Sequence, residues 1–262
     1  EYQITSINLG DLEPQLQLPF KELTRLKRAI FSLLRGGKKY VPPATLPRLK
    51  SKKRPIAPSL SILISSRDDL HLCCNQQRVY FELPSCLPED CSGLTATFQE
   101  QKNLIPWFPP IIIGEDFVRA VKLLEQLDTN LIVTNNSGIA FEAFSRDIPW
   151  LAGPYLNIAN SYSLLGLQQE LGCSGAFISN ELNNYQIKTI KKPEDFTLHY
   201  SIYHPINLMT SRQCLHHQVD GCNKESMDSS CLELCEKNSS ITTLQGRPLY
   251  ITKQKGHYHT VY

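Results

Sequence analysis

Apolar and polar positions follow two rhythms along the chain. In PFKELTRLKRAIFSLLR, residues 19–35, Leu23, Leu26, Ile30 and Leu33/Leu34 recur at helical spacing. Pro19 suits a first turn and Gly36-Gly37 a stop, so the stretch predicts an amphipathic helix. KKYVPPATLPRLKSKKRPIAPS follows, rich in Pro and Lys and without sustained period; it reads as a linker, with a boundary near Ala57.

Beyond the linker, short apolar runs alternate with helical patterns. The predicted strands are Ser61–Ser65, Arg78–Glu82, Pro110–Ile113, Leu131–Thr134, Trp150–Ala152, Ala176–Ser179 and Leu198–Tyr203. The clearest helix between them is Asp116–Leu127, with Phe117, Val121, Leu124 and Leu127 on one face. Another begins at Asn160 or Ser161 and ends at Gly172. Strands about twenty residues apart, each followed by a helical pattern, imply right-handed crossovers and a parallel sheet. The expected fold is therefore α/β: a parallel βα, TIM-like barrel, whole or incomplete, with an open doubly wound sheet as its rival. The end of the chain, SITTLQGRPLYITKQKGHYHTVY, predicts a hairpin turned at Gln245-Gly246, with alternation along Pro248–Lys253. Four segments result: a helical piece at 1–45, the linker at 46–58, the barrel-like domain at 59–207, and a cysteine cluster with its hairpin at 208–262.

Composition narrows the picture. Of 262 residues, 41% are hydrophobic, which excludes general disorder, and no apolar run is long enough to span a bilayer. The chain opens on Glu1 rather than Met, the mark of a fragment or a processed chain. The net charge of +2 conceals an asymmetry: residues 1–54 carry 12 Lys/Arg against 4 Asp/Glu, and all twelve lie between Lys21 and Arg54. Such a cluster can lie along a phosphate backbone, releasing condensed counterions on binding. On charge alone, a solvated helix face followed by a solvated linker is the simpler reading.

Candidate chemistry follows the predicted strands. TNNSG, GPYLNIANS and SNEL would bring Asn135, Asn136, Ser137, Tyr155, Asn157, Asn160, Asn180 and Glu181 to the carboxyl ends of the strands, where parallel α/β folds build their sites. Neutral amides and hydroxyls suit the orientation of a polar ligand, and Glu181 is the one proton-transfer group among them. The competing reading makes them caps and turns, which Asn and Ser also favour. There is no G-x-S-x-G elbow and no H-E-x-x-H helix. His257 and His259 would share one face of a strand.

Nine cysteines are an odd set for a secreted disulfide scaffold and fit a reduced, cytoplasmic chain. Cys214, Cys222, Cys231 and Cys235 stand out, at spacing C-x7-C-x8-C-x3-C in a stretch with little to bury. Four thiolates at loose spacing suit an iron–sulfur cluster. Zinc, with His216 or His217 as a further ligand, is the first alternative, and two disulfides are the second.

VTNNSGIAFEA, PWLAGPYLNIANSYSLL, GCSGAFISNEL, LMTSRQCLHHQVDGC, CLELCEKNSSIT and KGHYHTVY together resemble the C-terminal part of peptidase family U-32, the collagenase-like proteases. The likeness runs from about Ser59 to Tyr262 and is greatest to the family's long members, which resemble ribosomal RNA cytidine hydroxylases. SRQC with its three later cysteines carries most of the specificity. The resemblance implies a barrel-like fold and a four-iron cluster on Cys214, Cys222, Cys231 and Cys235. It also implies hydroxylation of RNA bases or ubiquinone precursors with a small carboxylate as oxygen source. Arg212 of SRQC sits where a cation would hold a carboxylate or phosphate, and Glu181, Asn136 and Arg212 become the catalytic candidates. Two departures stand against the likeness: the N-terminal barrel of the long members is missing, and Cys73-Cys74 and Cys86/Cys91 do not belong to the pattern.

Three functions follow: an iron–sulfur RNA hydroxylase or part of one, a collagenase-like peptidase, and a binding module whose metal is structural.

Overall fold

In the computed structural model, residues 17, 19–36, 45–47, 49, 57–74, 77–219, 221–224, 231, 235, 238–253 and 258–262 are described, with isolated positions 5, 6, 8 and 10 ahead of them. Two compact units divide between Arg48 and Leu49. In the first, helix α1 (Phe20–Leu34) starts one residue after Pro19, whose fixed φ of −58° suits that entry. Most of the linker, at 37–44, 48 and 50–56, lies outside the described residues, as does part of the basic segment.

The second unit is a seven-stranded, all-parallel sheet of order β1-β2-β3-β4-β5-β6-β7, followed by a four-stranded antiparallel sheet of order β8-β11-β10-β9. The parallel strands are β1 (Ser61–Ile64), β2 (Arg78–Glu82), β3 (Leu104–Phe108), β4 (Ile132–Thr134), β5 (Trp150–Ala152), β6 (Gly175–Phe177) and β7 (Thr197–His199). The helices between them are α2 (Ser92–Glu100), α3 (Glu115–Gln126), α4 (Ser137–Ser145), α5 (Ser161–Leu171) and α6 (Asn184–Thr189). Strand order equals chain order, as repeated right-handed crossovers require. The sheet curls into a half-barrel, so the barrel expectation holds in its incomplete form.

Period-two alternation assigns each strand residue to a face. Val79, Phe81, Leu104, Phe108, Ile132, Trp150 and Ala176 pack outward against Ala120, Leu123 and Leu124 of α3, Ile139 and Ala143 of α4, and Leu164 of α5. Tyr80, Trp107, Val133, Leu151 and Phe177 face inward and form a second core. Their rings meet across the concave face: Tyr80–Trp107 at 5.5 Å, Trp107–Phe177 at 5.1 Å and Tyr80–Phe177 at 5.9 Å. Tyr80 lies on β2 and Phe177 on β6, so this contact measures the curl directly.

Two strand predictions need correction. Pro110–Ile113 is not a strand; the strand there is β3, LIPWF, in which Pro106 pairs with Phe81. Pro106 offers no N–H to the ladder, so the run reads as broken although its neighbours are fully paired. The last strand ends at His199, and Ile202 and Tyr203 beyond it are exposed.

The predicted hairpin is present as β9 (Asn238–Thr242) and β10 (Pro248–Lys253), with Gly246 at φ +78° in its turn. It is half of a larger sheet, because β11 (His259–Val261) pairs with β10 and β8 (Met209–Ser211) pairs with β11. The short helix α7 (Leu215–Val219) follows β8.

Candidate functional site

The Asn-rich loops do lie at the carboxyl ends of the strands, but most of their polar atoms are occupied by the scaffold. Asn136 caps α4: its Oδ1 accepts from the N–H groups of Gly138 (2.9 Å) and Ile139 (3.2 Å), and its Nδ2 donates to the Pro110 carbonyl at 3.1 Å. Asn160 caps α5 in the same way, accepting from Tyr162 and Ser163. Both satisfy helix N–H groups that would otherwise lack partners. Asn135 is buried, donates to the Phe108 carbonyl at 3.1 Å and accepts from the Tyr155 N–H at 3.1 Å. It thus ties the β4 loop to the β5 loop. Gly153 leaves room for it, since a Cβ there would stand 2.1 Å from Asn135 Oδ1. Asn157 ends the Pro154–Leu156 turn at φ +53°, a conformation Asn tolerates.

Ser137 and Glu181 are exposed. Asn180 differs from its neighbours: its Nδ2 lies 2.9 Å from His204 Nε2, which accepts, and its buried Oδ1 makes no hydrogen bond among the described residues. The loops therefore bring Asn135 and Tyr155 together, whereas Asn136 and Asn160 serve the helices.

The sequence reading passed over the group that Tyr155 does face. Glu82 ends β2 on the concave side, paired with Trp107 and two residues beyond Tyr80. It is half-buried, and burial raises its carboxyl above the usual carboxylate range. Tyr155 is 47% exposed, yet protein around its phenol pushes the pKa up to about 12, with Tyr262, Glu82 and Tyr258 contributing through their charges. Burial likewise raises Tyr258, against a hydrogen bond to Ser85. That bond is 2.8 Å long, and Tyr258 and Ser85 line a small crevice with Ile111, Ile113 and Asp116. One carboxyl and three phenols thus cluster at the mouth, two of the phenols supplied by the C-terminal sheet. RVYFE held the signal: alternation puts Arg78, Tyr80 and Glu82 on one face, and Glu82 falls at the carboxyl end, where barrel enzymes place their chemistry.

The cysteine region is organised by the second sheet. Its antiparallel pairing puts Ser211, His259, Lys253 and Asn238 at one end. Cys214 follows that end of β8, Cys235 precedes that end of β9, and the buried rings of His216 and His259 pack there at 5.1 Å. Cys214, Cys222, Cys231 and Cys235 are all half-buried, and Arg212 is exposed. Among the described residues, no three His, Cys, Asp or Glu side chains form an arrangement that could hold a metal ion. As placed, Cys214 and Cys235 flank one sheet end, and no metal site is formed among the described residues.

No helix among the described residues is long and apolar enough to cross a membrane. Neither the curated proteins nor the solved structures contain a match to this chain. The model of peptidase family U32 matches residues 114–260, more than half the length. Tyr155, Tyr258 and all four clustered cysteines fall inside that stretch, while Glu82 and Ser85 come from ahead of it. The chain belongs to peptidase family U32.

Proposed function

We propose that this chain is the C-terminal part of a U32 enzyme that hydroxylates an RNA base, cytidine in ribosomal RNA, and that the mouth around Glu82 receives the base. Glu82 carries this reading. A carboxyl that keeps its proton to higher pH than a solvated glutamate offers an O–H donor beside a C=O acceptor, which complements the N3/N4 edge of cytosine. Tyr155 adds an aromatic surface of the kind on which unpaired RNA bases stack. Asn135 holds the Tyr155 backbone in place, and Asn136 and Asn160 fix the helices behind the loops. Of the candidates named from sequence, Glu181, Asn180 and Arg212 remain for contacts to the rest of the substrate or to a small carboxylate oxygen donor. Lys21–Arg54 would grip the RNA backbone.

Cys214, Cys222, Cys231 and Cys235 are the thiols for a four-iron cluster, with zinc as the alternative. Resemblance, and the sheet end that Cys214 and Cys235 share, support that assignment; the geometry of the described residues does not. Protein purified without oxygen should contain iron and sulfide, lost together in a Cys231→Ser/Cys235→Ser variant. Stoichiometric zinc without iron would remove the cluster. A cytoplasmic location fits reduced thiols.

The function is tested by mass spectrometry of nucleosides from ribosomal RNA of cells with and without the gene. Loss of 5-hydroxycytidine on deletion is the expected result. Unchanged nucleosides, together with cleavage of denatured collagen by the purified protein, would establish a peptidase instead.

A further inference from the structure

One layer below Glu82, the open seam of the half-barrel gathers polar groups that the mouth chemistry leaves unused. The sheet ends at β1 and β7, which are not hydrogen-bonded to each other. Its curl nevertheless brings side chains of β2 against β6 and within electrostatic reach of β7. Tyr80 of β2 meets Phe177 of β6, and Phe177 stacks on His199 of β7 at 4.8 Å and 24°. Ser61 of β1 is registered against Arg78 of β2.

Tyr80 is 2% exposed, and its buried hydroxyl makes no hydrogen bond among the described residues. The side chains of Ser61 and Arg78 approach it closely enough to affect its ionisation, without meeting hydrogen-bond geometry. Arg78 is exposed and forms no ion pair among the described residues. Its charge reaches His199, which burial, and then Arg78, hold neutral by pushing the pKa down to about 4. His199 Nε2 lies 3.3 Å from Thr197 Oγ1.

An orphaned hydroxyl inside a packed core is costly, and such groups are rarely kept without a partner. Here the orphan stands beside a planar guanidinium fork, whose donors match two oxygens of one anion. A second hydroxyl and a neutral imidazole complete a set of donors on three strands. Among the described residues, Glu82, on the same face of β2, forms no ion pair with Arg78.

We propose that Arg78, Tyr80, Ser61 and His199 form an oxyanion-binding site at the seam between β1 and β7, taking a phosphate or a carboxylate group. Arg78 holds two anion oxygens from the solvent side, and the Tyr80 hydroxyl donates from within. This site does not depend on the RNA-hydroxylase reading, because that reading uses none of its four residues.

The test follows the His199 ring signals by NMR in the whole chain during titration with inorganic phosphate, cytidine 5′-monophosphate or acetate. At least one anion should shift His199 saturably, and comparison of the three identifies phosphate or carboxylate as the preferred group. Tyr80→Phe should weaken that anion about three- to tenfold, the effect of one hydrogen bond, and Arg78→Ala by more than tenfold. Tyr80→Phe should melt no lower than the wild type, since it removes an unsatisfied group and keeps the ring, so weaker binding will not reflect unfolding. The proposal is overturned if all three anions leave His199 unmoved, or if they bind wild type, Tyr80→Phe and Arg78→Ala equally.

Discussion

Ser85 and Tyr258 share a 2.8 Å hydrogen bond across 173 residues of chain. It fastens the antiparallel sheet to the loop after β2 and carries Tyr258 to the same mouth as Glu82. Either hydroxyl can be the donor, so each truncation leaves one buried group unpaired. Tyr258→Phe and Ser85→Ala should each cost about 1 kcal/mol, and the double variant less than their sum. Urea unfolding of the four proteins measures the coupling; strict additivity would mean that the bond contributes nothing.

Asn136 and Asn160 act through helix ends. Asn136→Ala should destabilise by about 2 kcal/mol and Asn160→Ala by about 1 kcal/mol, while Asn160→Ser, another good cap, should stay close to wild type. Thermal melting reads this order. Loss of function in Asn160→Ser without loss of stability would instead give that amide a direct role.

Gly153→Ala probes the tie between two loops. The added Cβ would meet Asn135 Oδ1 at 2.1 Å, and Asn135 cannot swing away without losing the Phe108 carbonyl and the Tyr155 N–H. A loss of about 2–4 kcal/mol is expected, with faster amide exchange at Tyr155. Wild-type stability would show that Asn135 is not held as described.

His199 in the seam and Glu82 at the mouth give opposite pH dependences. His199 falls from an ordinary 6.5 to about 4, so between those values the unfolded chain binds the extra proton. Its contribution is complete above pH 6.5 and is lost as pH falls towards 4. Glu82 is raised from 4.5, so its contribution is complete below that value and is lost as pH rises through the folded one. In urea midpoints between pH 4 and 7, His199→Phe should flatten the acid-side loss and Glu82→Gln the opposing one. Parallel profiles for wild type and both variants would contradict these assignments.

Much of the scaffold was legible because it rests on local periodicity: α3, α5 with its Asn160 cap and Gly172 stop, and strands β2 and β5 appear where alternation and caps put them. β3 was hidden by Pro106, a breaker in most strands. α4 was hidden because SGIAFEAFS is apolar nearly all round, and its helical state depends on burial between neighbours. The mouth was half legible. Loops after strands marked its height on the barrel, but what faces what is set by curl and docking. Glu82, Tyr155 and Tyr258 are far apart in sequence, and only the bend of the sheet and the Ser85–Tyr258 bond bring them together.

The most direct test of the functional account is complementation. Cells lacking the gene are supplied with the full-length wild type or its Glu82→Leu form, which removes both the donor and the acceptor, and their ribosomal RNA nucleosides are measured by mass spectrometry. The account predicts that Glu82→Leu accumulates as protein to the wild-type level yet leaves 5-hydroxycytidine as low as the deletion does. Wild-type amounts of the modified base in Glu82→Leu cells would contradict it.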